Sequence, residues 1–173
     1  MADRNTGKRK KMTKDTLPDG FSIPLALMDL LPVLFFGLSA LQIGRMLQSI
    51  VFTLGASICL ASGIFKVVWK MTVAVKKKNV RILSLQMRFL MPAGFIVMIL
   101  GVILKRNMIN IKAAVNVFFT LPSYIFFSIG IAGLIFIFVF MFTLDSSKAR
   151  TNLIEEITNT ISQAAFFIGL MLL

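Results

Sequence analysis

Residues 46–65 carry no charge, and residues 113–144 carry none either, the second run being thirty-two residues long. At ~1.5 Å per residue, about twenty helical residues cross the ~30 Å hydrocarbon core of a bilayer. Backbone N–H and C=O groups must be satisfied within the chain in that core, so such runs read as helices. Composition agrees. Hydrophobic residues make up 57% of the 173 and charged residues only 15%, where a soluble domain carries roughly 25% charged. The mean hydropathy is +0.87.

The charges collect between these runs. They divide the chain into a basic tail, residues 1–20, and one membrane-embedded helical domain, residues 21–173. The fold class is all-α, a polytopic bundle with spans expected at about 24–44, 46–66, 88–104, 121–144 and 153–173. One straight helix over residues 113–144 would be ~48 Å long, and two spans would need roughly forty residues. Pro122 offers a division, with a short interfacial or re-entrant helix over 111–120 before the fourth span. A kinked or tilted single helix is the other solution. Pro92 is expected in the first turn of the third span, where a proline costs little. On the second span, Gly55, Cys59 and Gly63 recur every four residues. Small residues at that spacing admit a close neighbour, either within the chain or across a dimer face.

Orientation follows from the nineteen lysines and arginines. With the N-terminus cytosolic, fifteen fall on inward segments and four on outward ones, as the positive-inside rule requires. The expected location is a plasma (inner) membrane. The tail, with Lys8-Arg9-Lys10-Lys11, reads as a retained cytosolic segment, because the apolar segment after it is long and lacks a cleavage site. The net charge of +12 fits contact with anionic lipid. It does not point to nucleic acid, since Trp69 is the one aromatic interleaved with the lysines of residues 66–81.

Two features stand out against the apolar background. Asp29 is the single charge in residues 25–44, and a formal charge in hydrocarbon costs at least a few kcal/mol. It needs a partner, a wet cavity or a proton; Arg88, Lys66 and Arg150 are expected near the same leaflet. Pro32, three residues on, either kinks the helix or frees backbone carbonyls beside the acid. The second feature is the last helix. At 100° per residue, Asn152, Glu155, Glu156, Asn159, Thr160 and Gln163 share an arc of roughly 140°, with Leu153, Ile154, Ile157, Ile161 and Ala164 facing away.

Asp29, Glu155, Glu156, Asn159 and Gln163 are therefore the candidate substrate- or ion-binding residues, with Pro32 and Pro122 as the breaks that shape the site. A plainer reading is available for each. Acids suit the first turn of a helix and its cap, and Asp29 fits a structural bridge. The chain has no histidine and one cysteine, Cys59. No Cys/His metal set, phosphate loop or nucleophile–base pair is present in the sequence, so no metal, cofactor or enzymatic activity is expected. The expectation is a small transporter or channel, or a subunit of one, for a cationic or proton-coupled solute. The alternative is a non-transporting accessory or scaffold subunit. Either would contact the lipid bilayer and work as a homo-oligomer or with a membrane-protein partner.

Overall fold

The computed structural model describes residues 22–77, 80–108, 115–116, 118–144 and 149–173. Among these residues the helices are α1 (Ile23–Met46), α2 (Ile50–Lys76), α3 (Arg81–Leu85), α4 (Met87–Leu104), α5 (Ser123–Thr143) and α6 (Ala149–Met171), with a 3-10 turn at Arg106–Met108. Serines open the first two. Ser22 Oγ accepts from the Leu25 N–H at 3.4 Å, and Ser49 Oγ accepts from Phe52 N–H at 3.2 Å, each satisfying an amide that the first helical turn leaves without a partner. The Ser49 hydroxyl also donates to the Gly101 carbonyl at 3.3 Å, which ties the start of α2 to the end of α4. Lys77 ends α2 in a left-handed conformation, φ 51°, its N–H reaching the Val73 carbonyl.

The long helices form a row, in the spatial order α4, α2, α1, α6, α5. Among the described residues, no Cα of α4 comes within 8 Å of one of α5, and the same holds for α2 and α6. Small residues make the α2–α4 seam. A Cβ added to Gly55 would stand 2.7 Å from the Gly94 carbonyl oxygen, and one added to Gly94 would stand 2.5 Å from Cys59 Sγ. The two backbones thus touch where side chains would normally hold them apart. Gly63 faces the other way, onto Val33 of α1. The four-residue stripe is used inside the chain. On the opposite arm, the Ser162 hydroxyl of α6 donates to the Gly130 carbonyl of α5 at 2.7 Å. Ala40, Phe52 and Ala56 form a buried core, packed by Phe36, Ile43, Leu47 and Met98.

Helices α1, α2 and α4 and the Ser123–Phe140 part of α5 are long and apolar enough to cross a membrane. Their outward faces carry exposed Ile96, Ile99, Ile135 and Phe138, as lipid contact demands. The α6 helix is 23 residues long; its polar stripe sets it apart in composition, and its apolar face (Leu153, Ile154, Ile157, Ile161) is the exposed one. The chain is a helical membrane bundle.

Several boundaries differ from the sequence expectation. The second helix starts at Ile50 and runs to Lys76, ten residues past the expected end. A lysine normally marks a span edge, but Lys66 and Lys70 are answered inside the protein, so the helix continues through them. Upstream of α4, residues from Arg81 are already helical, and Gln86 joins α3 to α4 while its Nε2 donates to the Ser62 carbonyl at 3.1 Å. Pro92 consequently sits in the second turn of α4 rather than the first. Pro122 is the cap residue of α5, not part of the helix. The tail, residues 1–20, lies outside the described residues, as do residues 111–114 and 117 of the segment expected to be re-entrant.

Candidate functional site

Asp29 stands on the inward face of α1 with its side chain fully buried. Six residues at ~1.5 Å each place it ~9 Å from the helix start. Lys70 lies six residues before the end of α2, and Glu156 seven after the start of α6, so all three meet at one depth, with α1 and α6 running parallel and α2 antiparallel to both. Lys66 and Lys70 are four apart on α2, and Asn152 and Glu156 are four apart on α6. Each pair therefore projects from one helical face, one turn above the other.

Lys70 Nζ pairs directly with Asp29 Oδ2. It also lies 3.2 Å from Glu156 Oε1 and donates to Asn152 Oδ1 at 3.1 Å. Lys66 Nζ lies 3.2 Å from Glu156 Oε1 and 3.8 Å from Asp29 Oδ1. The side chains of Lys70 and Glu156 are 3% and 7% exposed, while Lys66 is 28% exposed. Two ammoniums face two carboxylates, so the cluster is neutral as a whole. That balance is what makes burial tolerable, because an uncompensated charge would carry the full desolvation penalty. The long lysine stems also explain how α2 and α6 communicate: their backbones stay more than 8 Å apart, and the side chains cross the gap over α1.

A cavity begins one turn deeper. Each helix contributes the residue three positions inward from its cluster member, namely Pro32, Gly63 and Asn159. The space is about 420 Å³ and is completed by Cys59, Phe95 and Gln163, among others. A second cavity of about 610 Å³ continues from it, sharing Phe36, Gln163 and Phe166, and reaches Met46 and Leu173 at the far ends of α1 and α6. Its lining is apolar except for Ser39 and Gln163. The four charged residues line neither cavity and stand one turn above the smaller one.

The structure distributes the sequence candidates unevenly. Asp29 and Glu156 meet in the cluster, and Asn159, Gln163 and Pro32 line the space beneath it. As a proline has no N–H, Pro32 leaves the Met28 carbonyl without its helical donor. Glu155 is half-buried, one step around the helix from the buried Glu156. Pro122 is exposed and lines neither cavity. Of the expected partners of Asp29, Lys66 is present, while Arg88 and Arg150 are exposed. Lys70 and Ser39 were not singled out by the sequence. The matching four-residue spacings of Lys66/Lys70 and Asn152/Glu156 were the available signal for Lys70.

No family model, curated protein or solved structure matches this chain. Geometry alone carries the function.

Proposed function

We propose that the chain is a small integral membrane transport subunit, oriented with its cluster end toward the cytosol. The observation that supports this reading is a pair of adjoining cavities that share lining residues, extend along α1 and α6 and begin one turn from the charged cluster. Because each acid is matched by a lysine, the cluster is not an open cation site. A cation or a proton arriving at Asp29 or Glu156 upsets a balance of two against two. That loosens the tie between α2 and α6, and so couples the charge to the helices around the cavity. Removing Lys66 and Lys70 from the loop count leaves thirteen inward basic residues against four outward, so the orientation stands.

The accessory-subunit reading retains one specific support: a balanced buried cluster is also what a structural clasp between three helices looks like. Thiol accessibility separates the two. In a Cys59→Ala background, Asn159→Cys and Gln163→Cys are each treated with a membrane-impermeant maleimide from either side of sealed vesicles. Transport requires reaction from the cytosolic side, faster at Asn159→Cys than at the deeper Gln163→Cys. Failure of both to react from either side leaves the clasp.

A further inference from the structure

We infer that the stacked cavities take a neutral, membrane-dissolved molecule with a hydrocarbon tail and a carbonyl group. This rests on the reading of the cavities as a transport path and names the substrate class. Three observations converge on it. The polar groups beneath the cluster are Asn159, Gln163 and Ser39, none of them charged, and the cluster above is itself neutral, so an ion gains little by entering. Second, Ser39 is buried, faces the larger cavity, and has a hydroxyl with no hydrogen-bond partner among the described residues. Among the described residues Ser62 is the other buried serine whose hydroxyl has no partner, and it lines neither cavity. Thr53, Ser57, Thr72, Thr143, Thr158 and Thr160 each donate to the carbonyl four residues back. A buried donor without an acceptor is destabilising, and a ligand carbonyl would supply the acceptor.

The third observation is access. α4 and α5 face each other across the cavities, through Phe95 and Met98 on one side and Phe127 and Leu134 on the other, yet their backbones do not close. Between two spans of a membrane bundle such a separation is lateral, on the side where a membrane-dissolved molecule would arrive; Phe118, which stacks on Phe127, lines the larger cavity there. Volumes of about 420 and 610 Å³ fall in the range of small-molecule sites.

The test uses the full chain in lipid nanodiscs and two photoreactive probes: a long-chain fatty methyl ester with a diazirine in its tail, and the matching hydrocarbon without the ester. The expected result is saturable capture of the ester on peptides containing Ser39 and Gln163, displaced by unlabelled ester but not by hydrocarbon. Ser39→Ala is expected to weaken that capture roughly two- to tenfold, the worth of one hydrogen bond, with the ligand-free melting temperature unchanged or raised. Equal capture of both probes, or label confined to outward residues such as Phe138, overturns the inference. So does a Ser39→Ala variant that melts lower and captures normally. Saturable capture without thiol accessibility of Asn159→Cys would keep this site and remove the transport reading. Accessibility without saturable capture would do the reverse.

Discussion

At the scale of single residues, Glu155 and Glu156 are adjacent in the chain and unlike in their surroundings. Glu156 is buried against two lysines, whereas Glu155 is half-exposed. Removing one member of a buried ionic set strands its partners, at a cost of about 3–5 kcal/mol. Exposed pairs contribute about 0–1 kcal/mol. Glu156→Gln is accordingly expected to unfold far more readily in detergent than Glu155→Gln, with denaturant midpoints as the readout. Equal midpoints would mean that the cluster is not a stabilising set. The acids were legible in the sequence because a charge in an apolar run is conspicuous. Lys70 was not, because which way a lysine near a span end points depends on how its helix is rotated, and that is fixed by contacts elsewhere.

Those contacts belong to the scale of elements. The rotation of α2 is set by Gly55 and Cys59 seating on α4 and Gly63 on α1, and that setting turns Lys66 and Lys70 toward Asp29. Gly94→Leu would drive a side chain into Cys59 and the α2 backbone. Overpacking of this kind costs about 1–3 kcal/mol, so the variant should melt lower. It should also make Lys70→Cys, otherwise shielded, reactive to a soluble maleimide. An unchanged melting temperature would show that the seam is looser than described. Four of the five expected spans are helices long and apolar enough to cross a membrane, and these were readable from length and charge; the last helix, with its polar stripe, is not among them. Helix ends were not readable, since the rule that lysine marks an edge fails where lysine has an internal partner, and the rule for proline fails where helix precedes it.

At the scale of the molecule, α1 is the shared centre of two arms, α2–α4 on one side and α6–α5 on the other, and the cluster fastens the arms together at one end. With the N-terminus inside, Gln48 in the α1–α2 turn faces outward and Lys77 inward. In the Cys59→Ala background, Gln48→Cys is expected to react only with reagent added outside and Lys77→Cys only with reagent inside; the opposite pattern inverts the bundle. Asn159 and Gln163 were expected from sequence to line a pocket, but its mostly apolar lining depends on how the helices stand in a row, which no single helix records. All of this hangs on the matching of Asp29 by Lys70. The direct measurement is a double-mutant cycle on folding stability with Asp29→Leu, Lys70→Met and both together. Each single change should destabilise strongly, and the pair should recover most of the loss, because Lys66 and Glu156 still balance. Losses that simply add would contradict the charge-balanced cluster.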